Sequence, residues 1–253
     1  MNIKSIFSGL IFSALMLSGT LARSQAKYNF EVGFSYCMAS AEYKTRSSIF
    51  NEFTGTFSDS TKTERITSKG GFGGMLGYHF PLIKMGDYSS MSMSISYMYD
   101  ALFWEPAGTT TTYDGRGGYT VSPTVTSGTI KMGLPVGVDY KFGCDAVSDK
   151  SRKLCGTFGA GVFPSLLMTS FNDDAGIGFR AQPYLKGEIG IMAGICMKLR
   201  GTFTFGKLKY IDYSYGSDSY SSSTSLTGKS SFTLSLIFMP MSFKWKKDEW
   251  WGR

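Results

Sequence analysis

The run Met91, Ser92, Met93, Ser94, Ile95, Ser96, Tyr97, Met98, Tyr99 decides the fold. Its odd positions are large and apolar, and its even positions are serine until Met98, so the repeat is two residues and not the 3.6 of a helix. Successive side chains of a β-strand point to opposite faces. One face of this segment is therefore wholly apolar and the other small and polar.

The same alternation recurs on both sides. Upstream, Tyr28, Phe30, Val32, Phe34 and Tyr36 oppose Asn29, Glu31, Gly33 and Ser35, and Phe72, Leu76, Tyr78 and Phe80 oppose Gly71, Gly73, Gly77 and His79. Downstream, Ile130, Met132, Leu134, Val136, Val138, Tyr140 and Phe142 oppose Lys131, Gly133, Pro135, Gly137, Asp139 and Lys141. Leu154 to Ser170 is less regular, although Phe158, Ala160 and Val162 alternate with glycines. Leu185, Ile189 and Ile191 then oppose Tyr184, Lys186 and Glu188; Met197, Leu199, Phe203 and Phe205 oppose Lys198, Arg200, Thr202 and Thr204; and Phe232, Leu234, Leu236 and Phe238 oppose Ser231, Thr233, Ser235 and Ile237. These segments predict eight strands. The long connections, Met38 to Arg65, Trp104 to Thr126 and Lys207 to Thr224, are all odd-numbered and share one end of an antiparallel meander. That is the asymmetry of a membrane barrel, with long loops outside and short turns inside.

A soluble lipocalin-like barrel or a β-sandwich also alternates, so the orientation of the faces has to be read from chemistry. The polar face consists of Gly, Ser and Thr with few charges, whereas a water-facing surface carries charge far more densely. Small side chains suit the interior of a narrow barrel. Aromatic residues also gather near strand ends, as in the two girdles of a bilayer-spanning barrel. The expected fold is all-β: a single eight-stranded antiparallel up-and-down transmembrane β-barrel.

Composition agrees. Charged residues are only 18% of the 253, which excludes a coiled coil, and aromatics are 15%, which excludes intrinsic disorder. Mean hydropathy is -0.06 although 42% of residues are hydrophobic, because an apolar face cancels a small polar one. The formal net charge of +7 is spread among acids without blocks or a recognisable motif, so no nucleic-acid partner is expected.

Lys4, the apolar run Ile6 to Leu17 and Ser24, Gln25, Ala26 read as a cleaved signal peptide over residues 1–26. The barrel domain is expected over 27–243, and a Trp/Lys-rich tail over 244–253. Trp104, Trp245, Trp250 and Trp251 are the expected interfacial anchors.

The stretch Thr129 to Gly143, with its Leu134-Pro135 step inside a long strand and its Tyr140, Lys141, Phe142 end, resembles the PorT-like and porin-family outer-membrane barrel domains of Bacteroidetes. The resemblance covers most of the chain after the signal segment as a pattern and is motif-like only in this stretch. It implies an outer-membrane location, contact with outer-membrane lipid, and envelope or secretion-machinery proteins as the class of partner. It does not imply one activity. The chain departs from the commoner bacterial pattern at its end, where Pro240 interrupts the alternation and a tail follows.

With apolar faces toward lipid, the lumen receives Glu31, Lys131, Asp139, Lys141, Lys186, Glu188, Lys198 and Arg200. Eight strands leave an interior just wide enough for side chains, and unpaired buried charge is costly, so an ion-paired polar plug is expected. A narrow channel for small solutes is the alternative. No enzyme is expected: the one histidine, His79, has no nucleophile beside it in sequence, and no phosphate loop or Cys-x-x-Cys spacing occurs. No cofactor and no metal site are expected. Cys144 and Cys155 flank one turn and are the plausible disulfide, with Cys37 and Cys196 left as thiols at opposite ends. The Ser/Thr/Tyr-rich loops read either as solvated connections or as adaptable binding surfaces. The function expected is that of an integral outer-membrane barrel with a structural, surface-binding or secretion-accessory role.

Overall fold

The computed structural model describes residues 30–104, 110–113, 119–122, 127–146, 152–171, 174–217 and 220–242. Residues 1–26 and 244–253, with Trp245, Trp250 and Trp251, lie outside the described residues. The strands are β1 (Phe30–Asn51), β2 (Thr56–Lys84), β3 (Ser89–Trp104), β4 (Thr110–Tyr113), β5 (Tyr119–Ser122), β6 (Ser127–Gly133), β7 (Val136–Gly143), β8 (Leu154–Phe171), β9 (Asp174–Ala193), β10 (Ile195–Ser217) and β11 (Tyr220–Met239). A short 3₁₀ turn, Pro240–Ser242, follows.

All ring pairings are antiparallel, and β1 pairs with both β2 and β11, which closes the sheet. β6 and β7 lie end to end between β3 and β8 and act as one broken strand, so the ring has eight positions. The break falls at Leu134-Pro135. Proline has no N–H to give a ladder, and the local bonds rearrange: Ser96 N–H donates to the Pro135 carbonyl at 3.0 Å, and Leu134 N–H to that of Pro164 at 3.0 Å. The expected single long strand is thus two strands on one line.

Orientation follows from burial. Outward side chains stand exposed, with Phe34 at 70%, Phe158 at 68% and Ile189 at 69%, while Glu31, Asp139 and Lys198 inside are at 1% or less. Left in water, each such large apolar side chain forgoes about 1.5–3 kcal/mol of transfer free energy, and a belt of them around the whole ring far exceeds the patches soluble monomers carry. The 16 residues of β3 exceed the roughly 9–11 a tilted strand needs to cross a bilayer. The barrel spans a membrane, apolar face to lipid and charge inside.

The two outer expected loops, Met38 to Arg65 and Lys207 to Thr224, are corrected to strand. β1 and β2 stay paired from Ser40↔Thr67 to Asn51↔Thr56, and β10 and β11 to Ser217↔Tyr220. Both faces of these segments meet water near their tips, so no apolar period marks them, although threonine, tyrosine and isoleucine favour strand. Because β3 ends opposite Ser68 and β9 ends its pairing with β10 at Tyr184↔Thr204, a four-stranded sheet β10-β11-β1-β2 rises beyond the rest of the rim. Above Thr204, β10 pairs only with β11, and β9 before Tyr184 pairs only with β8. Gln182 Nε2 reaches across this gap to the Gly206 carbonyl at 3.2 Å.

Candidate functional site in the barrel lumen

The inner face carries three stacked groups of side chains. Each is set by the parity of its strand.

The middle group is ionic. The structure puts Glu31 (β1), Lys131 (β6), Asp139 and Lys141 (β7), Lys186 and Glu188 (β9), and Lys198 and Arg200 (β10) inside the barrel, all buried. Lys198 Nζ contacts Glu31, Asp145 at 2.8 Å and Glu188 at 3.1 Å. Arg200 meets Glu31 through Nη2 at 2.5 Å and Glu188 through Nε at 2.6 Å. Lys186 lies 2.9 Å from Asp139, and Lys141 lies 2.9 Å from Asp145. Glu31, Asp145 and Glu188 offer oxygens within 4.8 Å of one another, and Lys198 and Arg200 of β10 with Lys141 of β7 balance the three carboxylates.

Three further members were not assigned to the cluster from sequence. His79 (β2) stands between two acids, Nε2 at 2.8 Å from Glu31 and Nδ1 at 3.2 Å from Asp139. Asp100 (β3) is buried and stands opposite Lys131 in register; it occupies the next inward position after Met98, so the alternation of β3 pointed to it. Asp145 follows β7 in a turn, where alternation says nothing. Gly143 takes φ 81° there, and this left-handed step turns the chain so that Asp145 is buried beside Lys141 and Lys198.

The ionic group spans the lumen from wall to wall. Lys186 Nζ on β9 donates to Ser94 Oγ on β3 at 3.1 Å, and Arg200 Nη1 on β10 lies 3.3 Å from Met75 Sδ on β2. Neither pair of strands is adjacent in the ring. Met75, Met98, Phe163, Tyr184 and Ile237 fill the space around these bonds, and Lys131 Nζ sits 4.1 Å from the centre of the Phe163 ring.

Toward the loop end the filling is apolar, which the expectation of an ion-paired polar plug did not include. Cys37, Ala39, Ala41, Ile66, Leu102, Trp104, Leu167, Phe171, Leu208, Tyr210, Ile211 and Leu226 form one buried cluster. Trp104 corrects its expected role as an interfacial anchor. It is 2% exposed, its Nε1–H donates to Thr129 Oγ1 at 2.8 Å, and its ring meets Tyr210 edge-on at 5.1 Å. The cause is parity: Met98, Asp100, Leu102 and Trp104 continue one inward row, while Phe103 faces out at 42% exposure.

Toward the turn end the filling is sulfur. Cys144, Cys155 and Cys196 bring their Sγ atoms within 4.8 Å of one another, and Met239 and Met192 pack against them. All four cysteines are free thiols. The expected Cys144–Cys155 disulfide is absent from the structure, and Cys196 joins the two thiols because β8 and β10 both start at the turn end on either side of β9, whose Gly190 leaves the space between them open.

No family model matches the chain, and no curated protein matches it. Among solved structures, the chain is similar to the outer membrane protease OmpT from Escherichia coli (10% identity, 82% of this chain and 96% of that chain, TM-score 0.34). It is similar also to Ail, the attachment invasion locus protein of Yersinia pestis (9%, 81% and 99%, TM-score 0.28), and to Neisserial surface protein A (9%, 78% and 95%, TM-score 0.31). At these scores the likenesses carry no argument, and the barrel stands on its own strand pairing and burial.

Proposed function

We propose that the chain is an integral outer-membrane barrel protein with a closed lumen, whose work is done at its surface by the sheet that β10, β11, β1 and β2 extend beyond the rim. One observation carries this reading: side chains from non-neighbouring strands bond across the interior, and an apolar cluster fills the lumen above them. A solute path would have to break both. The nine residues Tyr43 to Asn51 of β1 give the extension about 30 Å of strand, rich in serine, threonine and exposed aromatics such as Phe57 and Tyr215. That is the composition of adaptable recognition surfaces. The signal-peptide reading of residues 1–26 and the PorT-like resemblance of Thr129 to Gly143 support the outer membrane as the location.

Planar-bilayer recording tests the reading. The folded protein is expected to insert without unitary conductance steps. Reproducible steps would replace this proposal with the narrow-channel alternative.

A further inference from the structure

We propose that Cys144, Cys155 and Cys196 form a three-thiolate site for a thiophilic metal ion of the Cu(I) type, built into the turn end of the barrel. The three residues come from separate segments: Cys144 from the turn after β7, Cys155 from the start of β8 and Cys196 from the start of β10. Their Sγ atoms nevertheless lie within 4.8 Å of one another. A metal bound at about 2.3 Å to each sulfur holds its thiolates about 4 Å apart, so the observed cluster closes on an ion by small side-chain rotations.

The backbone beneath each thiol is fixed. Cys144 N–H donates to the Leu154 carbonyl at 3.0 Å, Cys155 pairs with Gly143 and Gly190, and Cys196 N–H donates to Ser242 Oγ at 2.7 Å. Ser242 is itself buried and bonded to the Met239 carbonyl at 2.6 Å. A site held by strand ladders is preorganised in the way metal sites require. Gly190 keeps the room: a Cβ there would stand 2.8 Å from Cys155 Sγ.

The donor chemistry selects the ion. Thiolate and thioether surroundings favour Cu(I) over hard cations. The two methionines beside the cluster are Met239, buried, and Met192, partly buried. The nearest carboxylate in sequence, Asp145, has Lys141 and Lys198 on its Oδ2. A disulfide would use two of the three sulfurs and strand the third; a trigonal ion uses all three. Cys144 is partly exposed, which gives the ion a way in from the turn end. As each Cu–S bond forms, the thiol gives its proton to solvent, and no electron is transferred.

The test uses the full chain folded in detergent, reduced and kept anaerobic, with Cu(I) delivered from a coloured chelator whose absorbance falls as the ion is taken up. The expected result is one Cu(I) per chain. Cys144→Ser, Cys155→Ser and Cys196→Ser should each weaken binding by more than the roughly 10–100-fold that loss of an outer hydrogen-bond partner costs a metal site. Cys37→Ser, whose sulfur lies in the loop-end cluster, should bind as the parent does. A gel shift between unboiled and boiled samples verifies that each variant is folded. Equal uptake by folded protein lacking all three cysteines, or failure of the parent to draw Cu(I) from the chelator, would overturn the site. So would a Cys144–Cys155 disulfide trapped by alkylating intact cells.

Discussion

Lys186 on β9 donates across the barrel interior to Ser94 on β3 at 3.1 Å while holding Asp139 of β7 at 2.9 Å. One ammonium thus ties together three strands that do not all touch. The ionic group fixes the cross-section of the barrel as well as filling it.

Glu31 is the acid on which most of this group converges, contacting His79, Lys198 and Arg200. Glu31→Ala leaves Lys198 and Arg200 without one of the carboxylates that separates them in a buried site, and removing one partner of a buried ion pair costs about 3–5 kcal/mol. The expected outcome is a barrel that loses its fast-migrating unboiled form at distinctly lower temperature or urea concentration than the parent. Unchanged midpoints would show that Glu31 is not a cross-link.

Trp104 is expected to behave as a core residue. In protein carrying Trp245→Phe, Trp250→Phe and Trp251→Phe, its emission should be blue-shifted and insensitive both to aqueous quencher and to quencher carried on lipid chains. Trp104→Ala should cost about 3–5 kcal/mol, as for other buried aromatics cut to alanine. Strong quenching by lipid would return Trp104 to the interface.

Gly143 holds φ 81°, and a Cβ there would approach the Leu154 carbonyl oxygen to 2.0 Å. Gly143→Ala therefore carries backbone strain of about 1–3 kcal/mol and a clash at the turn that delivers Asp145. Gly187→Ala is the control, because its Cβ would meet only the Phe158 ring at 3.9 Å. Denaturant midpoints should fall clearly for the first and stay near the parent for the second; equal midpoints would contradict the turn geometry.

The raised sheet sets the topology. Phe53 at its tip is fully exposed, and Met85 lies in the opposite turn. On intact cells, Phe53→Cys should react with a membrane-impermeant maleimide, and Met85→Cys should react only after the outer membrane is opened. The reverse pattern would invert the barrel.

Acid should loosen the same sheet late. On the strand-paired residues Ser48 and Asp59, the Ser48 hydroxyl first and then Arg46, at 2.7 Å, hold the Asp59 carboxyl below its ordinary range. A carboxyl lowered on folding contributes stability above its unfolded value and loses it as pH falls through the folded one. Protease resistance of the hairpin should thus stay level from neutral pH down to the ordinary aspartate range, and decline from there as pH falls through the lowered value. A decline already near pH 6 would point to another group.

Period-two alternation made the ring legible, together with its orientation and most of the inward charge, because a strand in a membrane barrel has one lipid face and one lumen face. Asp100 and Trp104 follow from the same parity, one and three two-residue repeats beyond Met98; an aromatic-girdle role for Trp104 rests on composition where direction decides. The raised hairpins were not legible, since a strand wet on both sides leaves no period. Asp145 was hidden because its direction is set by one left-handed residue. The three thiols were legible as sharing the turn end but not as a cluster, because their approach depends on the bare Gly190 of β9 between them and on the turn at Gly143.

The closing seam has a consequence for how the chain is made. β1 pairs with β11 from Val32↔Phe238 to Ile49↔Tyr220, and Ser35 bonds Ser235 at 2.8 Å across 200 residues of sequence. β1 has no lasting partner on that side until β11 has been delivered. Contacts so distant in sequence form slowly, and intermediates that expose strand edges and apolar faces aggregate. The unclosed chain must therefore travel shielded, and the membrane is where it can first be completed.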